Sequence, residues 1–304
     1  MNPETSKMLQ RRVSELGTLP VMPSILESLG TCLTASSGEL DIPRIVELIS
    51  YDKSLAAQCL RVANSAMFSG RARVQSVRQA VLALGMQRIR DIVYSCSLPQ
   101  LFAGGAQRGM EQATFWRHAL GTALVSQHLG ELLLVSDIEK LYLAGLLHDI
   151  GILANSLLYP ADFQRVLELA EASEAPLCEV EQEILEFTHC ESGRVLADIW
   201  KLPADISNTI EFHHHPSADD PDGEITCVVY LADVLCRLRG LGYGYYEARE
   251  FDLAAEIPWQ TLRKRHPEAA AQLDLARFTF ELDQYGTEVQ TTVDSIFSSV
   301  PVPR

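Results

Sequence analysis

The stretch LYLAGLLHDIGILANSLLYP, residues 141–160, limits what this chain can fold into more than any other. Six apolar residues and a glycine lead up to His148, and Asp149 follows at once. A segment this apolar belongs in an interior, where a lone desolvated carboxylate is costly unless a partner compensates it. Adjacent side chains on a helix also diverge by roughly 100°. A His-Asp pair aimed at one centre therefore predicts a helix end or a bend, which Gly151 would permit. The remaining partners must come from elsewhere in the chain.

Helical periodicity dominates the rest, and alternating strand patterns are nearly absent. Ile42, Ile45, Val46, Ile49, Leu55, Cys59, Leu60 and Val62 recur at three- and four-residue steps, with Asp41 and Asp52 as caps. Ser136 with Glu139, and Thr188 with Glu191, read as capping boxes. Pro203 and Pro216 punctuate later helices, and ADDPDGE (218–224) reads as an exposed acidic turn. LFAGGAQRGM (101–110) is the candidate linker. The expectation is an all-α, two-lobed helical protein: a lobe over 15–105, a second over 111–245, and a helical C-terminal extension over 246–304.

Composition narrows the setting. The chain of 304 residues is 47% hydrophobic and 21% charged, which suits a folded globular protein. A net charge of -15 argues against nucleic acid and anionic lipid as partners. The seven cysteines are scattered, with no Cys-x-x-Cys pair, which fits reduced thiols better than a disulfide framework. The start reads as no secretory signal, and no run approaches the roughly 18 apolar residues of a membrane span. A cytoplasmic protein is expected.

Read one at a time, the other candidate residues have ordinary explanations. His118 suits a core histidine with a hydrogen-bond partner. His148 and Asp149 suit a helix-terminal pair in which the aspartate caps the next element. His189 suits an exposed position in a first helical turn, and His213–His215 a solvated tip with one ring on the apolar stripe. Asp233 suits an i,i+4 partner of Arg237. Read together, they are the imidazole and carboxylate ligands that suit zinc, manganese and iron. An Asp149 that bridges two ions would compensate the buried charge, with His118, His148, His189, His213, His214 and Asp233 completing two ligand sets.

The order His118, His148-Asp149, His189, His213-His214, Asp233 resembles the HD phosphohydrolase superfamily, most closely its HD-GYP branch. Over about residues 15–245 the chain resembles the related HDOD family. That likeness is carried by LGTLPVMPSIL, ISYDKSLAAQCLRVANSAMF, SVRQAVLALGMQRIRDIV, FWRHAL, LLHDIGIL, THCESGRVLADIWKLP and EFHHHP. The resemblance implies a helical lobe packed on an HD-like helical lobe, and a role in bacterial signal transduction. It also implies two divalent transition-metal ions, of iron, manganese or zinc. His118, His148, Asp149 and Asp233 would hold one, and Asp149, His189, His213 and His214 the other. In HD-GYP enzymes such a centre hydrolyses cyclic di-GMP, which would make Asp149 the catalytic residue.

Three departures matter. The HD-GYP motif continues to a phosphate-binding lysine where this chain has Ile152. HPSADDPDG stands in place of the GYP signature, and Thr114 occupies the position of a third-metal glutamate. Two functions follow: a regulatory or output module that retains its metal site, or a metal-dependent phosphohydrolase of nucleotides or cyclic dinucleotides. The expected partner is a signalling protein or a nucleotide ligand. Residues 61–90 contain Arg61, Arg71, Arg73, Arg78, Arg88 and Arg90 and no Asp or Glu. They suit either an anionic ligand or the chain's own acidic surface. ANSAMF within this segment suits close helix packing.

Overall fold

Helix signals read from the sequence become helices, though not always at the predicted residue. In the computed structural model, residues 7–9, 11, 42–65, 68, 73–102, 112–217, 223–243 and 251–297 are described. All regular structure among them is helical. Asp41, Arg71, the 16–26 motif, most of the 101–110 linker and most of the 218–224 turn lie outside those residues. The chain divides into two compact units, Met1–Pro20 with Gly105–Leu282, and Val21–Gly104 with Asp283–Arg304. The expected extension over 246–304 is thus shared between the units.

In the Val21–Gly104 unit, helices α1 (Ile42–Tyr51), α2 (Lys53–Ala63) and α3 (Val77–Phe102) pack on one another. Asp52 caps α2 as expected, its carboxylate accepting from the Ser54 and Leu55 amides at 2.8 and 3.1 Å. Within ANSAMF, Asn64 does more than pack. Its side chain bonds both the amide and the carbonyl of Val74 at 2.9 Å, fastening the α2–α3 connection. Helix α3 breaks at Gly85, whose φ of 81° and ψ of 166° form a region open essentially to glycine alone. An alanine there would meet no neighbouring atom, yet the backbone strain would cost about 1–3 kcal/mol. Arg61, Arg73, Arg78 and Arg88 are exposed, whereas Arg90 is buried with Asp91 at 3.7 Å.

The other unit contains α4 (Gln112–Leu133), α5 (Ile138–Leu147), α6 (Ile150–Leu158), α7 (Pro160–Ser173), α8 (Leu177–Leu185), α9 (His189–Ile199), α10 (Ala204–Phe212) and α11 (Gly223–Leu238). Helices α12 (Ile257–Arg265), α13 (Pro267–Gln272) and the first turns of α14 (Leu275–Phe297) complete it. His128 on α4 lies 2.8 Å from Glu281 on α14 and stacks on Phe278. The Thr188–Glu191 capping box forms at the start of α9. The Ser136–Glu139 box does not, because α5 starts at Ile138 with Asp137 as its cap residue and no side-chain cap bond.

The 138–158 stretch meets the length and mean hydropathy of a membrane span, which the absence of an 18-residue apolar run does not convey. Its most apolar 18-residue window is 94% buried within this fold, and the stretch is broken into α5 and α6 at His148-Asp149.

Candidate metal centre

The break predicted at His148-Asp149 is real, but Gly151 serves it differently. A side-chain carbon at Gly151 would lie 1.9 Å from the His189 carbonyl oxygen and 2.7 Å from the Gly193 amide. Glycine is needed because α6 and α9 touch backbone to backbone, and that approach sets Asp149 beside His189. Asp149 caps nothing, since its side chain makes no bond to the start of α6. Its carboxylate is left to face the interior.

The six other candidates converge there with it. His118 from α4, His148, Asp149, His189, His213 at the end of α10, and Asp233 from α11 are each 0–1% exposed, and His214 is half-buried. His189 is therefore interior, not exposed as its local sequence suggested, with its ring and amide held by the buried Glu181. His213 continues the apolar stripe while His215 is exposed. Ile152, at the position of the expected lysine, is 1% exposed.

Each buried imidazole is pinned at one nitrogen. Nδ1 of His118 donates to the Leu241 carbonyl at 2.6 Å, His148 to Gly145 at 2.7 Å and His213 to Ile210 at 2.9 Å. His189 donates from Nδ1 to Glu181 at 2.6 Å. These bonds leave each Nε2 with its lone pair aimed into the cluster, the arrangement of a metal-binding histidine.

The carboxylate of Asp149 divides the cluster in two. Its Oδ2 lies 2.9 Å from His148 Nε2 and 3.6 Å from His118 Nε2, and Oδ1 lies 3.0 Å from His213 and 3.2 Å from His189. Asp233 Oδ1 is 3.0 Å from His118 Nε2, while Arg237 grips the same carboxylate through two 2.8 Å bonds. The i,i+4 pair thus exists and steadies a centre. Despite these short separations, His118 Nε2, His148 Nε2, His213 Nε2 and Asp149 Oδ1 are buried with no aligned hydrogen bond. Donors crowded together but aimed past one another fit a cation placed between them. Nε2 of His189 and of His214 face each other at 3.1 Å, which likewise needs a proton or a cation. One ligand atom from each of His118, His148, Asp149 and Asp233 lies within 4.8 Å of the others, and the same holds for Asp149, His189, His213 and His214.

Without an ion, protons and charges substitute in part. Burial opposes ionisation of Asp149, but the His148 charge and three histidine bonds outweigh it and hold the carboxyl well below its ordinary range. Burial is likewise overcome at Asp233 by Arg237 and His118. For His148, burial works downward and Asp149 upward, with a net rise to about 9. His213 falls to about 4 through burial and the nearby His214 charge.

Two participants were not anticipated. Glu181 is fully buried, accepts from both the His189 amide (2.7 Å) and its ring, and is itself held by Asn155 at 2.9 Å. Tyr243 donates its hydroxyl to Asp149 Oδ2 and sets its ring edge-on to His118, 4.5 Å between centroids.

The family model for the HDOD domain matches residues 19–216. The chain belongs to the HDOD family. An HDOD domain protein of unknown function from Geobacter sulfurreducens has the same fold, with a TM-score of 0.83 at 27% identity, covering 97% of this chain and 99% of that one. A Marinobacter aquaeolei VT8 protein provisionally assigned to signal transduction gives 0.72 at 21% identity, over 91% and 60% of the two chains. A Shewanella amazonensis SB2B protein provisionally assigned as a phosphohydrolase gives 0.68 at 24%, over 93% and 97%. A relative from Treponema pallidum (strain Nichols), described as uncharacterized, is 26% identical over 239 residues, 77% of this chain. The HDOD chain spans 45% of that relative's length.

Proposed function

We propose that this HDOD protein is a cytoplasmic, bacterial signal-transduction module whose His/Asp cluster holds two divalent transition-metal ions for regulation, not for turnover. Relatives sharing the fold carry both kinds of assignment, so fold alone does not choose, and the site must. One observation carries the regulatory reading. The shared carboxylate of Asp149 is capped by the Tyr243 hydroxyl within a cluster whose other ligands, save His214, are at most 1% exposed. A phosphodiester needs open access to the reacting centre, and here a protein side chain takes the place it would approach. The buried Ile152 agrees, since it offers an apolar side chain where the related enzymes present a cation to phosphate.

His118, His148, Asp149 and Asp233 would hold one ion, and Asp149, His189, His213 and His214 the other. Iron, manganese and zinc all suit these donors. A signalling protein or a nucleotide is the natural partner, and the exposed Arg61 and Arg73 beside Asn64 are where an anion would dock.

The complete ligand set favours a second reading, a metal-dependent phosphohydrolase acting on a nucleotide or cyclic dinucleotide. Paired ions of this kind supply Lewis acidity and lower the pKa of bound water. Elemental analysis of protein purified without chelator, followed by a nucleotide phosphodiesterase screen of the metal-loaded form, separates the two. The regulatory reading expects bound metal and no cyclic di-GMP turnover. Turnover matching a working HD-GYP enzyme would overturn it.

A further inference from the structure

Two thiols border the His189 half of the centre and are not used by the His/Asp pattern. Cys178 lies in the first turn of α8, and Cys190 is the second residue of α9, beside His189. Both are free thiols, Cys190 buried and Cys178 half-buried. Cys178 Sγ is 3.9 Å from His189 Nε2, which is 3.1 Å from His214 Nε2. One ligand atom from each of Cys178, His189, Cys190 and His214 lies within 4.8 Å of the other three.

Those separations can be set against a known shape. Tetrahedral zinc with Zn–S of about 2.3 Å and Zn–N of about 2.0–2.1 Å has S···N edges near ~3.6 Å and N···N edges near ~3.3 Å. The 3.1 Å between the two imidazole nitrogens fits such an N···N edge. Cys178 Sγ, at 3.9 and 4.0 Å from the two His189 ring nitrogens, lies against the ring and reaches an ion on Nε2 by turning about its Cα–Cβ bond. Two thiols and two imidazoles are also a common structural zinc set, and thiolates select zinc over manganese.

We propose that Cys178, His189, Cys190 and His214 form a Cys2His2 zinc site that competes with the Asp149–His189–His213–His214 set for the same two histidines. Competition follows from Glu181. It occupies His189 Nδ1 at 2.6 Å, so only Nε2 is free to bind, and one nitrogen lone pair serves one ion. Filling the sulfur set releases two thiol protons to solvent and withdraws His189 from Asp149. The protein then keeps one ion on the His118 side and zinc beside it, and the two-ion centre is dismantled. The zinc site itself does not depend on the two-ion reading above; the exclusion does.

The test uses the full chain under reducing conditions with cobalt(II) as a spectroscopic stand-in for zinc. The expected result is an intense near-ultraviolet thiolate-to-cobalt band, retained in Asp149→Ala and lost in the Cys178→Ser/Cys190→Ser double variant. Because Cys190 is buried and its replacement risks the fold, Cys178→Ser alone is the second arm, with about half the band intensity expected. Protein carrying one equivalent of cobalt and showing the full thiolate band should then take up one equivalent of manganese and not two. Absence of the band in the unmodified protein, or its persistence in the double variant, overturns the site. Two manganese ions taken up with the cobalt band intact overturn the exclusion while leaving the site intact.

Discussion

On the His118 side of the centre every ligand except the shared Asp149 has one destination. His118 and His148 are pinned by backbone carbonyls, Asp233 is gripped by Arg237, and all are buried. On the His189 side the same residue types are set more loosely. A carboxylate pins His189 where a carbonyl would otherwise do so, His214 is half-buried, and two thiols stand within reach. A carboxylate partner makes an imidazole a stronger ligand, while a partly exposed ligand gives an ion a path in and out. The difference teaches that a shared aspartate can join one permanent ligand set to one that is open to exchange.

The largest break in this comparison is Asp149→Ala. The variant should fall from two bound manganese ions to none by elemental analysis, since both sets lose a shared ligand. One ion remaining would mean that the halves are not joined through Asp149. Next is pH. His148 is raised to about 9 in the metal-free protein, so an ion entering the His118 side must displace its proton. Apparent affinity there should rise about tenfold per pH unit between pH 7 and 9 in calorimetric titrations. The stability effect has the opposite sign. A raised histidine stabilises fully below its ordinary 6.5, and that stabilisation is lost as pH rises through about 9. Chelator-treated protein should therefore melt at lower temperature at pH 9 than at pH 6.5, and a gain would contradict the His148–Asp149 contact.

Glu181→Gln sharpens the contrast between the halves. It should weaken the His189-side ion by about 10–100-fold and leave the other unchanged, as outer partners of metal ligands do. Equal weakening of both would deny that Glu181 serves one side. The smallest effect is expected of Tyr243→Phe. The hydroxyl competes for Asp149 Oδ2, and a hydrogen bond to a charged group is worth about 1.5–3 kcal/mol. Its removal should tighten the His118-side ion by about tenfold at the low end of that range. A weaker ion would make Tyr243 a ligand and not a competitor.

Much of this was legible in the residues themselves. The His148-Asp149 pair in an apolar run required partners, and the Thr188–Glu191 box foretold where His189 begins its helix. Other features were hidden for physical reasons. Glu181 sits in LCEVEQEIL among acids that read as a solvated face. Its spacing of four from Leu177 and from Leu185, both buried, was the available signal. Tyr243 follows α11 in a glycine-rich turn, where no periodicity says which way a ring points. Gly151 looked like a source of backbone freedom, whereas its role is to admit a neighbouring helix. Cys178 and Cys190 are twelve positions apart and make no motif until α8 and α9 are folded together.

The claim on which the rest depends is that two ions share Asp149. Anomalous diffraction from manganese-grown crystals of the full chain tests it most directly. Two manganese peaks are expected, one bonded to Asp149 Oδ2 among His118, His148 and Asp233, the other bonded to Oδ1 among His189, His213 and His214. A single peak, or two peaks of which either lies beyond bonding distance of Asp149, would contradict it.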